Sequence, residues 1–159
     1  MNVYIILAVI AGLPLLLALL LRVNAVLMFV AVAAGALLAQ YISDETSLVF
    51  NSFFSHMNVD NYVKLGLLLL PVVLTLLFLR KTLNTTQLVF HLIPLIVTSA
   101  ALATLVISSL PGSVHHEIVS NPIGKIADNS QNVLITASAI LTLVLAWLTM
   151  GHKRKTKRH

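Results

Sequence analysis

The sequence predicts an all-α protein, a polytopic transmembrane helix bundle of five spans with an amphipathic surface helix in its first outer loop. Three observations carry that prediction. Hydrophobic residues make up 58% of the 159 residues and charged residues only 9%, whereas soluble domains carry about a quarter charged residues. The apolar residues are gathered into runs near the ~20 residues that a bilayer-crossing helix needs. The basic residues, finally, collect in alternate connections between those runs, the pattern that fixes orientation in a membrane. Residues 1–151 are expected to form one transmembrane domain and residues 152–159 a basic cytoplasmic tail.

The first span is Val3 to Leu21, with Gly12 and Pro14 inside it. No positive segment precedes it and no small-residue cleavage site stands out before Arg22, so it reads as a retained helix and not a removed signal. Arg22-Val23-Asn24 is a short polar break, and the second span, residues 25–42, must return antiparallel to the first. Residues 43–61 form the first sizeable loop. It opens with Ser43-Asp44-Glu45-Thr46, a helix start with acids in its first turn. Phe50, Phe53, Phe54 and Met57 follow at helical spacing beside polar Asn51, Ser52, Ser55 and His56, the pattern of a helix lying on the membrane surface.

The third span is residues 62–79, with Lys64 able to snorkel from its first turn and Arg80-Lys81 closing it. After a polar turn over 82–87 comes the fourth span, residues 88–110, stopped by Pro111-Gly112. Residues 113–131 read as a polar loop holding His115-His116-Glu117 and Asn121-Pro122. The fifth span is residues 133–150, with Trp147 at interfacial depth, and the chain ends in a run of Lys and Arg.

With the C-terminus inside, the inner segments hold Arg22, Arg80, Lys81, Lys153, Arg154, Lys155, Lys157 and Arg158, leaving only Lys64 and Lys125 outside. The acids Asp44, Glu45, Asp60, Glu117 and Asp128 also fall outside. The expected placement is therefore an inner (plasma) membrane of bacterial type, N-terminus outside and C-terminus cytoplasmic. Lys153, Arg154, Lys155, Lys157 and Arg158 serve there as a topological anchor that binds anionic lipid of the inner leaflet, about 1 kcal/mol per basic residue. The run has neither aromatic interleaving nor a fold behind it, so no nucleic acid is expected as a partner.

Helix association in lipid rests on close packing, which small residues permit. Ala31, Gly35 and Ala39 on the second span recur at four-residue intervals. So do Ala100, Thr104 and Ser108 on the fourth, and Ser138, Thr142 and Ala146 on the fifth. The third span, Leu-rich through Leu67–Leu70, lacks such a face and is expected at the lipid-facing periphery. Pro14, Pro71 and Pro94 read as structural kinks. Only Pro94, beside His91, has the polar neighbour that a hinge along a transport pathway would need.

The chain contains no cysteine, which removes disulfides and thiolate chemistry. It has no Gly-rich phosphate loop and no nucleophile elbow, so no cofactor is expected and an enzyme is the less favoured reading. His91 lies well inside a span, about one turn from its inner end, and reads as a structural histidine before a proton relay. His115, His116 and Glu117, with His56, Asp44 and Glu45 on the same outer face, are candidate metal ligands, although consecutive ligands match no metal template.

The short first span ending at Arg22, the Ala-rich second span over 26–42 and the long outer loop give the chain a layout from Met1 to about Leu110. With the third span ending in Leu79-Arg80-Lys81 and a fourth reaching Leu110, that layout resembles the colicin V production protein family. The resemblance implies an envelope- or export-related membrane protein without an established active site. Three functions follow as expectations. The first is a non-enzymatic subunit or assembly partner in a homo-oligomer or larger membrane complex. The second is an oligomeric channel or transporter protomer with a Ser/Thr-lined path past His91. The third is a metal-binding protein or enzyme using the outer His/Glu face.

Overall fold

The computed structural model describes residues 3–53, 60–79, 82 and 85–155. Among them the chain is wholly helical: α1 (Val3–Leu20), α2 (Ala25–Tyr41), α3 (Ser43–Phe53), α4 (Asp60–Phe78), α5 (Thr85–Ser108), α6 (Gly112–Val119), α7 (Pro122–Asn129) and α8 (Gln131–Lys155).

How α1 stops explains the tight hairpin that follows. The Val23 N–H bonds back to the Ala18 carbonyl at 3.0 Å and the Arg22 N–H to the Leu19 carbonyl at 3.2 Å, the two closing bonds of a Schellman motif. Arg22 takes the left-handed position that motif demands, with φ 53°. Glycine usually occupies that position. Val23, fully buried, packs with buried Ala18 in the same core. Asn24 then starts α2 as an N-cap, its side-chain oxygen accepting the Val26 N–H at 2.9 Å.

α5 is the central element. Of its apolar stretch 61% is buried, against 17% for α4 and for α8, and α1, α2 and α8 all pack on it. α4 packs chiefly on α2, leaving Leu70, Val73, Leu74 and Leu77 exposed on its far side. Ala8 and Ala11 near the start of α1 share a groove with Ala103 and Ile107 near the end of α5 and with Leu134 near the start of α8. Both neighbours therefore run antiparallel to α5. The α1–α2 hairpin and Thr82 are tied at the opposite end, where the Asn24 N–H donates to Thr82 Oγ1 at 3.0 Å. Chain order brings the C-terminus of α8 to that same end.

α4, residues 89–108 of α5 and residues 131–149 of α8 are each long and apolar enough to cross a membrane. α2 and α3 meet at a bend of 63° and give a fourth crossing if the pair is one span. α1 is apolar over Ala8–Leu20 but shorter. The count by length and composition is thus three to four, not the expected five. The shortfall lies in the first hairpin: the 17 residues of α2 rise about 25 Å, less than the ~30 Å hydrocarbon layer.

One further expectation is corrected. Residues 113–131, read as a polar loop, hold α6 and α7. Asn121 caps α7 by accepting the Ile123 N–H at 3.3 Å, with Pro122 in the first turn, where the missing proline N–H has no helical partner to lose. The first residues of the basic tail are helical. α8 runs on to Lys155, and cations at a helix C-terminus are favoured by the carbonyl ends exposed there. In the segment expected to hold a surface helix, α3 starts at Ser43, with Ser43 and Ser47 buried and Leu48, Val49 and Phe50 exposed. Phe54, His56 and Met57 lie outside the described residues.

Candidate functional site

Polar chemistry gathers first at the end of the bundle that carries Arg22. His91 is 2% exposed, and its Nδ1 accepts the N–H of Ala25, the first residue of α2, at 3.3 Å. An accepting Nδ1 places the ring proton on Nε2. The Asn24 side chain takes the next amide of α2, and Thr82 takes the Asn24 amide. The Thr82 hydroxyl faces the carbonyls of Arg22 at 3.3 Å and Leu79 at 3.4 Å. A helix start leaves its first amides without backbone partners. Here side chains from two distant segments supply the acceptors. His91 thus stands as an acceptor that fixes α2 on α5. Pro94, one turn further, is buried beside the same core.

A second polar level lies along α5. Ser99 Oγ donates to the Ala11 carbonyl of α1 at 2.9 Å, next to the Ile10 carbonyl from which Pro14 withholds a helical N–H. Thr98 Oγ1, fully buried, has no hydrogen-bond partner among the described residues. Thr104 donates to the Ala101 carbonyl at 2.9 Å and Ser108, exposed, to Leu105 at 3.0 Å. On α8, Ser138 donates to Ile135 at 2.8 Å and Thr142 to Ser138 at 2.7 Å. Most hydroxyls of the small-residue stripes therefore bond their own helices and leave a surface of Cβ and methyl groups towards the neighbours.

The stripe on α2 meets the backbone of α4. Ala31, Gly35 and Ala39 are all buried, and a Cβ built on Gly35 would fall on the Leu68 carbonyl of α4. Ala100, by contrast, joins Ala8, Ala11, Ala103, Ile123 and Ala127 around an apolar groove of about 380 Å³ between α1, α5, α7 and α8. Ala146 on α8 is half-buried.

At the opposite end His115 and His116 sit on α6 with Glu117. His115 Nε2 lies 3.7 Å from Asp128 Oδ1 on α7, and His116 Nδ1 lies 3.3 Å from Ser120 Oγ. Among the described residues no three His, Cys, Asp or Glu side chains gather where they could hold a metal ion. Lys153, Arg154 and Lys155 continue the α8 backbone, while Lys157 and Arg158 lie outside the described residues.

Sequence reasoning singled out His91 but not its partner. Asn24 was legible as a cap, since it immediately precedes an apolar run. Thr82, Thr98 and Ser99 carry no local signal, because what sets them apart is a contact, or the want of one, across the bundle. No protein-family description, curated protein or solved structure matches the chain.

Proposed function

We propose that the chain crosses a bacterial-type inner membrane five times, N-terminus outside and C-terminus cytoplasmic, and acts as a non-enzymatic subunit or assembly partner of a membrane complex. The observation that carries this reading is the distribution of polarity within the helices. The stripe hydroxyls of Thr104, Ser138 and Thr142 are spent on their own backbones. Large apolar side chains, among them Leu13 and Leu16 of α1, Leu74 of α4 and Leu143 of α8, face outward. A molecule so built offers surfaces for lipid and for neighbouring helices. Arg22 and the Lys/Arg run at the end of α8, which share one end of the bundle, support this orientation. A short first hairpin can still cross by local bilayer thinning, at fractions of a kcal/mol per Å. The layout likeness to the colicin V production protein family points the same way, towards an envelope or export role.

Native mass spectrometry of material gently extracted from its own membrane tests this. Co-extraction with other membrane proteins at fixed stoichiometry is expected. A monomer alone at every detergent strength would sink the subunit reading, and a homo-oligomer of fixed count would favour a second one. In that reading the chain is a channel or transporter protomer, and the buried Thr98 hydroxyl, without a partner among the described residues, supports a polar step past His91. It predicts flux through protein-containing liposomes that is lost in Thr98→Val.

A further inference from the structure

We propose that the groove between α1, α5, α7 and α8 is a binding site for one acyl chain of a membrane phospholipid, whose phosphate meets Lys125 at the α7 end. The inference rests on the membrane reading above and adds a ligand and a place to it. The groove holds about 380 Å³, at the small end of the ~300–1,000 Å³ range of ligand sites. Its walls are methyl groups: Ala8 and Ala11 on α1, Ala100 and Ala103 on α5, Ile123 and Ala127 on α7. Thr104 also lines it, and its hydroxyl already donates to Ala101. A water needs two to four polar partners, and apolar cavities stay dry and take apolar guests. Neither water nor a charged ligand is therefore stable there.

What fills the groove is decided by where it opens. On either side of its α5 wall, α1 and the edge of α8 at Leu134 carry on into exposed apolar faces, Val9 and Leu13 on one side and Val133 and Ile140 on the other. In a membrane those faces meet acyl chains, so the groove is continuous with the lipid surface and one chain can enter it sideways. Within lipid the drive is packing rather than escape from water, since an unfilled groove forfeits dispersion contacts along its whole lining. α7 crosses the end of the groove, and its exposed Lys125 sits between the two α7 lining residues in sequence. Its long side chain can present the ammonium at headgroup level, which favours an anionic lipid.

The test reconstitutes the whole protein in liposomes of phosphatidylcholine and phosphatidylglycerol, each doped in turn with a chain-end photoreactive analogue, and maps the labelled peptides. Labelling is expected to concentrate on the peptides of Ala8–Ala11 and Ala100–Ile107, above the exposed face of α4, which reports bulk lipid. Filling the groove with Ala100→Leu and Ala127→Leu should cut that labelling about fivefold, the scale of a handful of lost dispersion contacts. Labelling of α4 should stay unchanged and so certify the fold. Thr104→Val should change nothing, and Lys125→Gln should abolish the preference for the phosphatidylglycerol probe. Labelling no higher than on α4, or indifferent to the filling variants, overturns the proposal, as does a crosslink in the groove to a second copy of the chain. Loss of labelling in Thr104→Val would mean a polar occupant and overturn it too. A retained preference in Lys125→Gln overturns the headgroup assignment. If α4 itself is unlabelled, the membrane reading fails and the groove proposal with it.

Discussion

Gly35 and Gly12 both sit inside apolar helices, yet a methyl group added to each would meet different surroundings. At Gly35 it would run into the Leu68 carbonyl, while around Gly12 there is nothing within 4 Å. Gly35→Ala should force α2 and α4 apart and cost about 1–3 kcal/mol, the usual range for overpacking. Gly12→Ala should be neutral or stabilise by up to about 1 kcal/mol through helix propensity. Unfolding in graded denaturing detergent ranks the two, and equal effects would contradict the close approach. His91 allows a similar contrast. His91→Leu strands the buried Ala25 amide at about 1–3 kcal/mol, whereas His91→Asn keeps an acceptor atom where Nδ1 stands and should lose less. The four-residue spacing of Ala31, Gly35 and Ala39 was legible along the chain. That Leu68 and not another helix lies against it was not, because spacing marks a face without naming its neighbour.

At the scale of elements, the end of α1 is the most informative joint. A left-handed non-glycine residue costs about 1–2 kcal/mol, so Arg22→Gly should stabilise the hairpin by about 1 kcal/mol in the same unfolding assay. In the proposed orientation it should also remove a positive charge that holds this turn on the cytoplasmic side. A hairpin that is firmer but more often inserted the wrong way round is the expected result, and a destabilised one would refute the Schellman geometry. Helix existence and sequence boundaries agreed to within a few residues for α4, α5 and α8, whose long apolar stretches speak for themselves. α6 and α7 were missed because eight residues are too few to show a period, and the Asn121-Pro122 pair that caps α7 was read as part of a loop. The 63° turn from α2 into α3 has no proline or glycine at Ile42 to announce it.

For the molecule as a whole, the absence of native cysteine makes single-cysteine mapping free of background. Asn129→Cys, on α7, should react with a membrane-impermeant maleimide in intact cells. Asn24→Cys, at the opposite end, should react only after permeabilisation. The reverse pattern would invert the proposed orientation. The end-to-end asymmetry of charge was readable from the sequence because it depends only on which connections hold Lys and Arg. The central position of α5 was not, because its hydropathy resembles that of its neighbours and only packing separates a covered helix from a peripheral one.

The Ala25–His91 hydrogen bond spans 66 residues of chain, and a ribosome extends the chain at about 5–20 residues per second. For roughly 3–13 s after Ala25 is made, the first amide of α2 has no histidine to meet, and Asn24 waits nearly as long for Thr82. The opening hairpin is therefore made unlatched, and its tie to α5 closes only when α5 arrives. The order of synthesis thus makes α5 the element whose arrival fixes the start of α2 in place.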